Sequence, residues 1–145
     1  MIAGQHVYCS PSLNSQLRAA AERCVPRECC GLLVGEWEAG SPRIRYWVEV
    51  HNLAVDADSF QMDPFAYRDI ERKSDREGWQ ILGIFHSHPR GFGKPSGRDE
   101  AVVKRQWGGQ SDWIYLICGL KEQDGHGVRG WAWSNNGFCE LDLGI

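Results

Sequence analysis

The stretch Gly83-Ile84-Phe85-His86-Ser87-His88-Pro89, followed after six residues by Ser96-Gly97-Arg98-Asp99, carries the side chains of this chain best suited to hold a metal ion. On an extended segment side chains alternate from face to face, so His86 and His88 project the same way and can reach one ion. Pro89 ends the strand where no ladder hydrogen bond is asked of it. The loop beyond swings the chain round to Asp99, a third ligand in the first turn of a helix. Two imidazoles and a carboxylate with an open fourth position suit catalytic zinc. Such an ion lowers the pKa of bound water to about 7, which makes hydroxide available at neutral pH.

Hydrolysis at such a site needs a proton carrier, and Glu28 is the candidate. It immediately precedes the buried run 29–34, where a carboxylate is costly unless it is paired or working. Ser96 stands three residues before Asp99, where its hydroxyl can cap the helix or face an oxyanion. Taken singly, each feature has a plainer reading. A His-Ser-His pair is commonly structural, a Glu before a strand commonly sits on a solvated edge, and a Ser at a helix start commonly caps it. Their joint occurrence with Pro89 and Asp99 favours a site, because a general base, a Lewis acid and an oxyanion donor together make an amide hydrolase.

These residues need a frame. Ser10-Pro11 provides the N-cap and first position of a helix running to Cys24, with Leu13, Leu17, Ala20, Ala21 and Cys24 on one side and Pro26 as its stop. Residues 29–37 read as a buried strand, Gly40-Ser41-Pro42 as a turn and 44–50 as an alternating strand, which together give a hairpin. Residues 51–62 are irregular. Asp63-Pro64 opens a second helix to about residue 77, closed by Gly78. A strand over 80–86 follows, then a third helix over 98–107 with Asp99 and Glu100 where the helix dipole favours anions. Strands at 112–120, 128–133 and 137–143 complete the chain, the last two joined at Asn135-Asn136-Gly137. After the first helix the order is β-β-α-β-α-β-β-β, which predicts a mixed α/β or α+β fold with a central sheet flanked by helices.

A length of 145 residues fits one domain, 1–145, since two cores would each be small for their surface. The hydrophobic fraction of 42% with seven Trp supplies a packed interior, and the net charge of −3 gives no basic footprint for nucleic acid. The N-terminus shows no charged region before an apolar run, and no apolar run approaches the roughly 20 residues of a membrane span. The chain therefore reads as soluble and cytoplasmic, with neither a nucleic-acid nor a membrane partner expected. Six cysteines, at 9, 24, 29, 30, 118 and 139, include no Cys-x-x-Cys pair and are expected as buried, reduced thiols. His6, His51 and His126 lack metal-spaced partners, and Trp131 and Trp133 share a strand face, so these five are assigned to structure or surface.

The pattern His-x-His-Pro-x6-Ser-x2-Asp, with Glu28-Cys29-Cys30-Gly31-Leu32-Leu33-Val34-Gly35 upstream, resembles the JAMM (MPN-plus) metalloprotease family in its short stand-alone prokaryotic branch. The resemblance runs from about residue 5 to residue 120, and no position of the family pattern is replaced. It implies a JAMM/MPN fold of the α/β (α+β mixed) class, with a central, mostly antiparallel curved sheet flanked by helices on a cytidine-deaminase-like core. It also implies one Zn2+ on His86, His88 and Asp99, with Glu28 as general base and Ser96 as oxyanion donor. Family members hydrolyse the bond after a C-terminal Gly-Gly of ubiquitin or a ubiquitin-like protein. The short prokaryotic members are similar to enzymes that trim β-grasp sulfur carriers or release cysteine from them. The lack of obvious insertions for reading a distal ubiquitin favours that role here.

A Gly-Gly tail is thin and extended, and it can pair along a strand edge. Residues 52–62 and 90–95 are expected to wall its groove, with Phe60, Met62 and Phe92 either as apolar contacts or as loop anchors. Gly91 and Gly93 either let the loop close over the tail or satisfy turn geometry. Other readings use the same residues. Proteins of the RadC type carry a very similar His-x-His-Pro…Ser-x2-Asp run and are linked to DNA metabolism, against which stand the acidic net charge and the block 28–35. A non-catalytic module that binds ubiquitin-like tails is opposed by the complete ligand set with Glu28. A zinc deaminase uses His-x-Glu and Pro-Cys-x-x-Cys, which this chain lacks.

Overall fold

The structure, a computed structural model, describes residues 6–106, 113–122, 127–134 and 137–144. In chain order its elements are β1 (His6–Tyr8), α1 (Pro11–Cys24), β2 (Cys30–Glu38), β3 (Ser41–Val50), α2 (Pro64–Arg76), β4 (Gln80–His88), α3 (Gly97–Gln106), β5 (Ile114–Gly119), β6 (Val128–Ser134) and β7 (Gly137–Gly144). Ser10 caps α1 by accepting the Leu13 N–H at 3.1 Å, and Asp63 caps α2 by accepting the Phe65 N–H at 2.9 Å. The β2–β3 turn sits at Ala39-Gly40, one residue earlier than the expected Gly40-Ser41-Pro42. Both of its φ angles are positive, 52° and 81°, the two-residue geometry that matches the twist of paired strands.

The mixed α/β character holds, but the sheet is not an open curved one. Its strands run β1-β3-β2-β4-β5-β6-β7 and close into a barrel. The closing strand, β1, is three residues long and too short to show a hydrophobic period, which is why the sequence does not announce it. It pairs in parallel with β3 at Tyr8↔Arg43 and with β7 from His6↔Asp142 to Tyr8↔Gly144, so neither strand is left as an open edge. β4 and β5 are also parallel, and the remaining neighbours are antiparallel. Gly83 permits the close approach of β4 to β5, since a Cβ there would lie 1.8 Å from the Ile114 carbonyl oxygen.

Alternation along the strands divides the core. Leu33, Phe85, Ile114 and Leu116 pack with Leu13, Leu17, Ala20 and Ala21 of α1. Leu32, Ile84 and Tyr115 join Phe60, Met62, Trp133 and Val103 of α3, with Tyr67 and Ile70 of α2 packed against them. All six cysteines are free thiols. Cys9, Cys29, Cys30 and Cys118 are buried, whereas Cys24 is half-buried and Cys139 exposed, so the expected burial does not extend to all. His6 pairs with Asp142 at 3.0 Å, His51 is exposed, and His126, Asn135 and Asn136 lie outside the described residues. No helix among the described residues is long and apolar enough to cross a membrane.

Candidate active site

β4 runs two residues past its expected end because Ser87 and His88 stay in register with Cys118 and Gly119 of β5. His86 and His88 therefore share a face, and their Nε2 atoms lie 3.2 Å apart. Asp99 reaches both from the first turn of α3, with Oδ1 3.0 Å from His86 Nε2 and Oδ2 3.1 Å from His88 Nε2. Burial alone would raise the Asp99 carboxyl. The neighbouring His86, hydrogen bonds from both imidazoles and the Ser96 N–H overcome it and hold the group well below the usual carboxylate range. Burial likewise works to lower the His88 imidazole, yet the Asp99 carboxylate and the Phe92 carbonyl hold it above its ordinary value.

His88 Nδ1 lies 2.9 Å from the Phe92 carbonyl oxygen. A carbonyl only accepts, so Nδ1 carries a proton, and loss of the Nε2 proton that Asp99 accepts would turn the Nε2 lone pair to the site. The loop that supplies this carbonyl is anchored. Trp131 Nε1 donates to the Gly93 carbonyl at 2.8 Å, and a Cβ on Gly119 would lie 2.1 Å from the Phe92 carbonyl carbon. Gly93 itself packs against the barrel, where a Cβ would meet the Ile117 carbonyl oxygen at 2.9 Å. Ser96 is the N-cap of α3: its Oγ accepts the Asp99 N–H at 3.2 Å, and its own N–H donates to Asp99 Oδ2 at 2.7 Å. Accepting one hydrogen bond leaves the hydroxyl proton free to be donated.

Glu28 is 6% exposed, with a carboxylate oxygen within 4.8 Å of both histidines, and its Oε1 is buried with no hydrogen-bond partner. Burial pushes its carboxyl up to about 7, with His86 and His88 pulling the other way. Two carboxylates thus flank one histidine pair in opposite protonation regimes. Asp99 is held ionised, the form in which a carboxylate can ligate a cation, while burial raises the Glu28 carboxyl toward the range that suits proton transfer. The unpartnered Glu28 Oε1 and the converging Nε2 and Oδ atoms fit a divalent cation with a bound water between them. Such an ion would be held by His86, His88 and Asp99.

Two further residues organise the site. Asn52, buried two residues past the end of β3, donates to the Glu28 and Ser59 carbonyls, each at 3.0 Å, and accepts from the Ala54 and Gln61 N–H groups at 2.9 and 3.0 Å. It fixes residues 52–61 around the Glu28 backbone. Ser87, fully buried between the histidines, accepts the Cys29 N–H. An Asn opening an irregular segment is a turn signal for the first, whereas nothing in the sequence marks the second.

The segments 52–62 and 90–95 touch where Arg90 pairs with Asp58 at 2.5 Å, and Arg98 of α3 pairs with Asp56 at 2.8 Å. Phe60 and Met62, however, are core residues, 5% and 6% exposed, and not surface contacts. The Phe60 ring stacks on His86 with centroids 4.6 Å apart, a position that alternation could not reveal within an irregular segment. Phe92 is exposed beside the site, as are Leu53 and Val55 on the facing segment.

Residues 10–134 match the family model of prokaryotic homologues of the JAB domain. The chain belongs to that family. The matched span of this JAB-domain chain contains Glu28, His86, His88, Ser96 and Asp99, and leaves outside it β1 and β7, the strands that close the barrel. Among curated relatives, it is 28% identical over 135 residues to a desampylase of Haloferax volcanii, covering 92% of this chain and 89% of that one. It is 34% identical over 104 residues to a probable TtuB-protein conjugate cleaving protease of Thermus thermophilus, covering 72% of this chain and 66% of the relative. Among solved structures, a protein from Desulfitobacterium hafniense shares the fold at a TM-score of 0.82 and 24% identity, covering 96% of this chain and 91% of that one. Another, from Salinibacter ruber, aligns at 0.67 and 21%, covering 94% and 89%.

Proposed function

We propose that residues 1–145 act as one catalytic domain, a zinc-dependent metallopeptidase. Its substrate is the peptide or isopeptide bond that follows the C-terminal Gly-Gly of a ubiquitin-like or β-grasp sulfur-carrier protein. The observation that carries the reading is the buried, unpartnered Glu28 carboxyl facing the His86–His88–Asp99 cluster. Family membership and the two curated relatives, one named for cleaving protein conjugates, support the substrate class.

Zinc bound by His86, His88 and Asp99 supplies a Lewis acid and an acidified water. Glu28 takes the proton of the attacking water and hands it to the departing amine. Burial raises the Glu28 carboxyl, which makes it a better proton acceptor than an exposed carboxylate. The Ser96 hydroxyl, already oriented by the Asp99 N–H, donates to the oxygen that gains charge when the carbonyl is attacked. Asp99 and the Phe92 carbonyl hold the His88 ring in place, and Phe60 backs His86. Residues 52–62, tied to the 90–95 loop by Arg90–Asp58 and to α3 by Arg98–Asp56, border with that loop the thin path of a Gly-Gly tail, with Phe92 as an apolar contact.

An intact-mass cleavage assay tests this. Zinc-loaded protein is mixed with several β-grasp carriers extended beyond Gly-Gly, beside a Lys-linked diubiquitin control. Cleavage after Gly-Gly that stops with chelator supports the proposal, and no cleavage of any substrate despite bound zinc contradicts it.

A further inference from the structure

We propose that Cys24, Cys29 and Glu49 form a second divalent-cation site, of the thiolate–carboxylate kind, on the α1 side of β2. The two sulfur atoms and a Glu49 carboxylate oxygen all lie within 4.8 Å of one another, and Cys24 Sγ is 3.7 Å from Glu49 Oε2. Tetrahedral zinc, with Zn–S about 2.3 Å and Zn–O about 2.0–2.2 Å, sets its donors about 3.5–3.8 Å apart. The cluster needs only a small contraction to reach that spacing.

Three elements converge to place these donors. Cys24 is the last residue of α1, Cys29 stands just before β2, and Glu49 lies near the end of β3. Glu49 pairs across the sheet with Gly31, two residues beyond Cys29 and so on the same face. Arg23 forks that carboxylate, with Nη2 2.5 Å from Oε1 and Nη1 3.2 Å from Oε2. An ion takes Oε2, and Oε1 keeps its pairing with Arg23 Nη2.

The site is open to entry, because Cys24 is half-buried and Glu49 exposed. Its two thiolates are soft donors, which selects zinc or cadmium over magnesium or calcium. Binding breaks one S–H bond at each cysteine, forms two metal–sulfur bonds and releases both protons to the buffer. The cluster is separate from the His86–His88–Asp99 centre. Cys29 packs with the α1-side core, whereas Cys30 joins the cluster of Phe60 and Ile84 on the histidine side.

Cobalt titration of the reduced, metal-free full chain separates the two centres, since imidazole and carboxylate give no sulfur-to-metal charge-transfer band. The expected result is a near-ultraviolet thiolate–Co(II) band that belongs to one equivalent of the metal, with release of one proton per thiol. Cys24→Ser, at a half-buried position, abolishes the band. Glu49→Gln weakens that equivalent by at least about 10–100-fold, the loss found even for groups that merely support a ligand. His88→Ala, Cys30→Ser and Cys139→Ser retain the band. A titration without the band, or a band that survives Cys24→Ser, overturns the proposal.

Discussion

The Ser87 hydroxyl accepts the Cys29 N–H at 2.8 Å, and the Ser87 N–H donates back to the Cys29 carbonyl at 3.0 Å. The residue between the two histidines is thereby fastened to the residue after Glu28. Glu28, just before β2, and the two histidines of β4 are registered to each other through this pair, whereas Asp99 arrives from α3. Ser87→Ala leaves the Cys29 N–H buried without an acceptor and is expected to cost about 1–3 kcal/mol in urea denaturation. Turnover falls with it as Glu28 loses its placement, while KM for the carrier changes little. Unchanged stability and turnover would show that the tie is dispensable.

Phe60 and Phe92 separate in the same experiment. Phe60→Ala empties a core position beneath His86 and is expected to destabilise by about 3–5 kcal/mol. Phe92→Ala removes an exposed ring, leaves the melting temperature within a degree or so of the parent, and raises KM for an extended carrier. A stability loss at Phe92 equal to that at Phe60 would contradict this division.

Removing the metal should be felt in the fold as well as in turnover. Chelation is expected to stop cleavage and to lower the thermal midpoint, and added zinc restores both. With free zinc at about 100 times its Kd the stabilisation is about 2.7 kcal/mol. Asp99→Asn, which keeps the shape but not the charge, should bind zinc weakly and show little of this shift. A midpoint indifferent to chelator in the parent would argue against a bound ion.

The buried thiols set an alkaline limit. Burial pushes Cys9 and Cys118 up to about 11 and Cys30 up to about 12, from an ordinary 9.0. Below pH 9 these thiols are neutral in both states and their contribution is intact. Between 9 and 11 the unfolded chain ionises first and holds fewer protons, so stability falls as pH rises, by at most about 1.4 kcal/mol per pH unit for each thiol. Denaturation midpoints measured across this window check the sign, and Cys118→Ala should flatten the slope.

The sequence carried the site further than it carried the fold. His86, His88, Asp99 and Ser96 are legible because each sits on an element whose geometry is local: a strand that alternates and a helix that begins at a capping serine. Barrel closure is a long-range event between His6–Tyr8 and strands at 41–50 and 137–144, and three residues carry no period by which to foresee it. Phe60 and Met62 lie in a segment shaped by Asn52 through hydrogen bonds to residues 54–61, so their inward direction follows from tertiary contacts and not from spacing. Ser87 escaped notice because a serine between two ligands looks like a spacer, and its partner lies 58 residues away.

Glu28→Gln separates proton transfer from metal and carrier binding. The substitution keeps the size of the side chain but removes the group that carries the proton. Zinc content, carrier binding and cleavage are measured on the same preparation. One zinc is expected to stay on each chain, carrier binding to remain close to the parent's, and cleavage after Gly-Gly to be lost. Cleavage at the parent's rate would contradict the role given to Glu28, and loss of zinc with the substitution would make Glu28 a ligand and not the base.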